Sequence, residues 1–384
     1  MDRDLKKALA ALGLIALAVI AVVAFGDREI GSEPEQNLEQ ESEIPAADEG
    51  GADRVATVVA EGLDTPWEIV FLPDGDMLVT ERPGVLRRIG KSPVEINVDG
   101  VLERGEGGLL GLALHPNFSE NNLLYLYFTT SKNGRTINRV ARYEFRENSL
   151  SNSQTLIDDL PGSSNHNGGR IVFGPDNYLY ITTGDAGNSQ SAQNINSLAG
   201  KILRLKDDGS IPPDNPFGNP VYSYGHRNPQ GLAWDNSGNL WATEHGRSGA
   251  ASGYDEINFI ERGANYGWPN IEGSDTRDNM TAPVIHSGPS TTWAPAGLAF
   301  LDGRIYFAGL RGATLYSADV DGAGKLGPLA EYFKNEYGRL RAVTVGPDGL
   351  LYISTSNRDG RGQVKTGDDK IIKITRPRAE GSGQ

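Results

Sequence analysis

One pattern of apolar and polar positions recurs six times along the chain: a short apolar run, a turn of Pro, Asp, Asn and Gly, and a second apolar run. The copies occupy residues 69–80, 112–129, 171–182, 232–243, 298–307 and 343–354. Each run is rich in β-branched and aromatic residues, and Asp-Gly or Asn-type turns between such runs are the strongest short-range signal for a β-hairpin. The copies start at intervals of roughly 40–65 residues, which suits blades of four strands set around a channel. Apart from one N-terminal segment, no helical periodicity interrupts the series. The pattern predicts an all-β, six-bladed β-propeller with four-stranded blades over residues 53–377, followed by a disordered tail at 378–384. An irregular β-solenoid is the alternative architecture.

The N-terminal exception is an unbroken apolar run from Ala8 to Phe25, preceded by Arg3, Lys6 and Lys7 against Asp2 and Asp4. Eighteen such residues are just long enough to span a bilayer as a helix, and a signal peptide has the same layout. No small-x-small site follows Phe25 and the chain has no Cys for lipid attachment, so residues 1–26 read as a membrane anchor in preference to a cleaved signal. In either case the basic residues stay inside and the remainder is expected to be extracytoplasmic. Residues 27–50 hold nine acids and one Arg and are poor in aromatics, so 27–52 is expected to be a disordered acidic linker. With −8 assigned to the linker and +1 to the first seven residues, the formal charge of −14 leaves −7 for residues 51–384. The globular part is mildly acidic and has no basic tract, which argues against a nucleic-acid partner. The absence of Cys excludes disulfides, thiolate metal sites and thiol nucleophiles.

The repeat phase also aligns the loops that lead into each first strand. In a propeller these converge on one end of the axis, bringing together residues that are far apart in sequence. Arg227, Arg311, Arg339 and Arg341 fall on such positions or at the ends of the following strands. Singly, each reads as a surface or blade-to-blade ion pair. Collected at one mouth they suit an anionic small ligand, because guanidinium forks match carboxylates and phosphates. His166, ahead of two glycines, is a candidate general base, or else an imidazole capping a turn. Asp185 ends the hairpin that His166 begins and is placed to orient that imidazole, or to form an Asx-turn with Gly187. The stretch from Gly246 and Arg247 to Glu256 offers backbone carbonyls and hard carboxylates suited to Ca²⁺, although its spacing is not that of an EF-hand. His115 and His286, without acidic neighbours in sequence, read as structural.

Taken together, Gly105-Glu-Gly-Gly, His166-Asn-Gly-Gly-Arg170, Gly184-Asp-Ala-Gly187, His226-Arg-Asn-Pro-Gln-Gly231, Asn265-Tyr-Gly-Trp-Pro269 and Arg339-Leu-Arg341 resemble the glucose/sorbosone dehydrogenase family. That family includes soluble glucose dehydrogenases dependent on pyrroloquinoline quinone (PQQ) and aldose sugar dehydrogenases. The resemblance spans nearly all of residues 55–375 and implies a six-bladed propeller that oxidises aldoses to lactones with PQQ and Ca²⁺. On this resemblance His166 takes a proton from the sugar while hydride moves to the quinone C5, and Asp185 supports His166. Arg227 and Asn228 face the quinone oxygens, and Arg311, Arg339 and Arg341 hold the cofactor's carboxylates. Carbonyls of Gly246 and Arg247 ligate Ca²⁺, and Glu256 and Tyr266 resemble residues of a second, structural Ca²⁺ site. Electrons would pass to a membrane quinone or a small carrier. Two positions depart from the glucose dehydrogenases, which have Pro at Arg247 and Lys at Arg311; the loops between strands are also short, as in the aldose sugar dehydrogenases. A non-catalytic sugar- or protein-binding propeller and a Ca²⁺-dependent lactonase are the competing readings. A lactonase needs acidic metal ligands from several blades.

Overall fold

The structure, a computed structural model, describes residues 55–375 apart from 250, 251 and 322. The anchor or signal segment at 1–26, the linker at 27–52 and the tail at 378–384 lie outside the described residues. Within them are six four-stranded antiparallel sheets, one for each repeat. The innermost strands of blades 1 to 6 are Pro66–Phe71, Leu109–Leu114, Ile171–Phe173, Pro229–Trp234, Pro295–Leu301 and Leu340–Val345. Helical structure among the described residues amounts to single turns at Phe118–Asn121 and Ser189–Gln193.

Each blade buries both of its faces, which explains why the repeated runs are continuously apolar instead of alternating with polar residues. In the second strand of blade 2, Leu124, Leu126 and Phe128 pack towards blade 1, whereas Tyr125 and Tyr127 pack towards blade 3. This is the period of two expected of a strand. Six apolar clusters result, one at every blade junction, including the junction of blades 6 and 1. Truncating a fully buried leucine such as Leu126 to alanine would cost about 2–5 kcal/mol.

Sequence periodicity did not reveal how the ring closes. Blade 6 draws three strands from the C-terminal end, and its fourth is Ala56–Ala60, paired with Ile371–Ile374 from Ala56↔Ile374 to Ala60↔Ile371. This strand precedes the first repeat and carries no turn signature of its own.

The ends of the blades differ. At the turn end of the repeated hairpins an Asp caps the backbone and accepts from a nearby aromatic side chain. Asp176 takes the Tyr180 hydroxyl at 2.9 Å, Asp235 the Trp241 indole N–H at 3.1 Å, and Asp348 the Tyr352 hydroxyl at 3.0 Å. At the opposite end, the register slips at the start of the innermost strand in five blades, for example between Pro66 and Glu68 and between Leu340 and Val343. Such bulges re-aim side chains at the rim of a sheet, and the candidate residues lie at this end.

Candidate active site

The hairpin of blade 3 brings His166 and Asp185 together, since one precedes strand Ile171–Phe173 and the other follows its antiparallel partner Leu179–Thr183. His166 has a left-handed backbone, φ 55°, a conformation that persists in a non-glycine residue only when its surroundings enforce it. Two contacts do so. Its amide donates to Glu106 Oε2 at 2.9 Å, and Gly184 leaves room for its carbonyl, which would lie 1.9 Å from a Cβ at that position.

The His166 Nδ1 is 2.7 Å from Asp185 Oδ1. The same oxygen accepts the Gly187 amide at 2.8 Å, so Asp185 forms the Asx-turn as well as orienting the imidazole. The Trp268 indole N–H donates to Asp185 Oδ2 at 2.9 Å. Burial acts to raise the Asp185 carboxyl, but the donors from His166, Gly187 and Trp268 outweigh it and hold the group below the usual carboxylate range. An ionised Asp185 accepts, so the Nδ1 atom of His166 carries the proton. That leaves Nε2 without a hydrogen bond among the described residues.

The arginines occupy two levels. A cleft of about 270 Å³ is lined by Glu106, His245, Arg247, Arg311, Arg339 and Arg361, among others. At its rim, Arg311 is exposed and donates to Ser252 Oγ at 2.9 Å, and Arg339 pairs with the buried Asp359 at 2.7 Å. Arg361 reaches from blade 6 to Glu106 at 2.7 Å. With Arg361 and the His166 amide donating to it, the Glu106 carboxyl is lowered to about 2 despite partial burial. Arg341 lies deeper and does not line this cleft. It is buried, donates to Ser356 Oγ at 3.3 Å and Gln230 Oε1 at 3.1 Å, and makes no ion pair among the described residues. Burial brings it down to about 10, so it remains a cation at neutral pH. Arg227 donates to Ser248 Oγ at 2.7 Å, and its guanidinium lies 5.4 Å from the centre of the Trp268 ring. Asn228 is fully buried; its Oδ1 accepts the Gly168 amide at 2.9 Å, while its Nδ2 has no partner.

At the metal candidates the geometry is mixed. The Gly246 amide donates to Asp255 Oδ1 at 2.9 Å, and a Cβ at Gly246 would meet the carbonyl oxygens of Gly253 and Tyr254 at 2.2 Å. The Arg247 carbonyl accepts the Gly253 amide at a long 3.4 Å. Its guanidinium pairs with Glu272 at 3.3 Å and lies over Tyr254. Glu256 is pushed up by burial and by the neighbouring Glu244, and Asn258 Nδ2 donates to it at 3.1 Å. The Tyr266 hydroxyl donates to the Phe259 carbonyl at 2.5 Å, and its ring stacks on His226, which in turn is bound to Glu244. Among the described residues no three His, Asp or Glu side chains stand together as a metal-binding group.

Four residues of this region were absent from the sequence-based candidates: Glu106, His245, Trp268 and Arg361. Glu106 and Trp268 lie in motifs that sequence does single out, and His245 directly precedes Gly246. Arg361 contacts a residue 255 positions away, and no spacing signals it. His245 is driven down to about 4 by burial and is neutral, with its Nε2 unpartnered. His115 needs a correction: its Nε2 is 3.6 Å from Asp207, an acidic neighbour supplied by the fold, although it remains remote from the cleft.

Comparison with known proteins is consistent with this geometry. The sequence profile of the glucose/sorbosone dehydrogenases matches residues 63–366. The aldose sugar dehydrogenase YliI of Escherichia coli is 33% identical over 343 residues, covering 79% of this chain and 90% of its own length. The quinoprotein glucose dehydrogenase B of Acinetobacter calcoaceticus is 34% identical, with coverages of 69% and 59%. The PQQ-bound structure of an aldose sugar dehydrogenase from Streptomyces coelicolor superposes with a TM-score of 0.77 at 41% identity, covering 83% of this chain and 97% of that one.

Proposed function

Because the chain belongs to the glucose/sorbosone dehydrogenase family, we propose that it is a PQQ-dependent aldose sugar dehydrogenase that oxidises aldoses to lactones. The observation that carries the mechanism is the 2.7 Å contact from His166 Nδ1 to Asp185, which leaves Nε2 free to accept a proton.

The residues present fit the cofactor. Arg341 is a buried cation whose hydrogen-bond partners are neutral and whose charge is opposed by the Asp359 carboxylate without an ion pair, and a buried charge is costly until it is paired. Arg227 and Arg311 rest on serine hydroxyls, weak acceptors that a carboxylate would displace. Asn228 Nδ2 and His245 Nε2 are buried without partners. Arg311, Arg339 and Arg341 would hold the carboxylates of PQQ, and Arg227 and Asn228 its quinone oxygens. When bound, PQQ supplies a two-electron hydride acceptor. His166 Nε2 takes the proton of the sugar's anomeric hydroxyl, and Asp185 stabilises the imidazolium that forms. Arg227 presents positive charge where negative charge develops.

Ca²⁺ belongs to the same proposal, at the carbonyls of Gly246 and Arg247 and, separately, beside Glu256 and Tyr266. The crowded carboxylates of Glu244 and Glu256, next to the unpartnered Asn258 Oδ1, favour a hard cation there. The apolar run at 8–25 supports an extracytoplasmic enzyme held at a membrane, close to a quinone or small-carrier electron acceptor.

Reconstitution tests the proposal. Purified protein supplied with PQQ and Ca²⁺ should bind the cofactor and reduce an artificial dye with several aldoses. Neither binding nor turnover across an aldose panel would refute it.

A further inference from the structure

Trp268 joins the two halves of this site. It comes from blade 4, yet its indole N–H donates to Asp185 Oδ2 of blade 3 at 2.9 Å. Its ring also lies 5.4 Å from the Arg227 guanidinium. We propose that Trp268 is a positioning residue for the reaction, its N–H fixing the Asp185 carboxylate so that Asp185 holds His166 in one orientation. The inference rests on the proposed role of His166.

Asp185 Oδ1 has two donors, His166 Nδ1 and the Gly187 amide. Oδ2 has one, Trp268. Without that donor the carboxylate keeps its charge but loses the contact that sets its plane, in a side chain only 2% exposed. Trp268 is itself held on both sides of its backbone. Its amide donates to the Gly225 carbonyl at 2.9 Å, and its carbonyl accepts Gln193 Nε2 at 2.7 Å. Gln193 and Asn265 also bond each other in both directions, at 3.0 and 2.9 Å, locking the segment of blade 4 to blade 3. Tryptophan combines an in-plane donor with a broad π-face, so one side chain serves both the carboxylate and the cation. Phenylalanine retains only the second function.

The charged groups facing the dyad are Glu106, bound to the His166 amide, and Arg227, whose carbonyl accepts the Asp185 amide at 2.8 Å. Removing the indole N–H leaves Asp185 with fewer donors and therefore makes it a stronger acceptor for His166 Nδ1–H. The imidazolium is then favoured, and the acid limb of kcat/KM, which requires neutral His166, moves to higher pH.

The test compares wild type with Trp268→Phe and with Trp268→benzothienylalanine, which keeps the bicyclic shape but has sulfur for the N–H. Both substitutions should lower kcat/KM about 10-fold, the scale of one hydrogen bond to a charged group. Both should shift the acid limb upward while PQQ affinity and the KM for aldoses stay within about twofold. In the cofactor-free protein, the downfield proton resonance of His166 Nδ1–H should move further downfield in both variants. An unmoved resonance and pH profile would overturn the inference, as would a loss confined to KM, which would make Trp268 a sugar-binding surface instead. If wild type oxidises no aldose, the functional proposal fails while the resonance still decides the role of Trp268.

Discussion

The two ends of the propeller use the same polar side chains in opposite ways. At the turn end, Asp235 accepts from Ser237, Asn239 and Trp241, all within six residues of itself. At the mouth, bonds cross blades: Gly168 to Asn228, Glu106 to His166, Trp268 to Asp185 and Arg361 to Glu106. The Asp235 carboxylate is satisfied by its own hairpin. The mouth retains a buried cation with neutral partners at Arg341 and unpartnered polar atoms at Asn228 and His245. Unpaired buried polarity is unfavourable for the free protein, and at the mouth, at Asn228 and His245, a bound ligand would supply partners.

Substitutions can break this contrast from either side. The largest effect is expected at Arg341. Arg341→Met should weaken PQQ binding about 100-fold while raising the Tm of the cofactor-free protein, because a buried, unpaired charge is replaced by an apolar side chain of similar length. Equilibrium titration and calorimetry measure the two; a lower Tm with unchanged affinity would make Arg341 a structural residue. Asp235→Ala should behave oppositely. It leaves the Trp241 indole and two backbone amides without an acceptor, which should destabilise the fold by about 1–3 kcal/mol, seen in denaturant unfolding, without altering kcat or PQQ affinity.

The smallest expected effect is a pH dependence at Glu106. Its carboxyl is lowered from 4.5 to about 2 in the folded protein, so it binds protons more readily when unfolded. Its contribution to stability is therefore complete above about 4.5 and is lost as pH falls towards 2. Glu106→Gln should flatten the decline of stability across that window. An unchanged slope would show that Glu106 is not held by Arg361 and His166 in solution.

The same contrast explains what could be read in advance. The hairpin turns are local, so six blades were legible from Asp, Asn and Gly placed between apolar runs. The His166–Asp185 pair was legible because both residues belong to one hairpin. Ring closure by Ala56–Ala60 was not, since that strand pairs with Ile371–Ile374 across the whole chain. The repeat phase put the four arginines at one end; of them Arg311 and Arg339 line the cleft, and the depth of each was not apparent. Arg341 sits beneath the rim against Gln230, on the innermost strand of blade 6 and within the bulge between Leu340 and Val343. Glu106, Trp268 and Arg361 act through cross-blade contacts that no local pattern encodes.

The role proposed for His166 Nε2 is that of proton acceptor in aldose oxidation. It is tested most directly by loading wild type and His166→Ala with PQQ and Ca²⁺, adding an aldose, and following reduction of the bound cofactor by its absorbance in a single turnover. The account predicts equal cofactor loading and a rate at least about 100-fold lower in the variant. Reduction at the wild-type rate, or failure of the variant to bind PQQ, would contradict it.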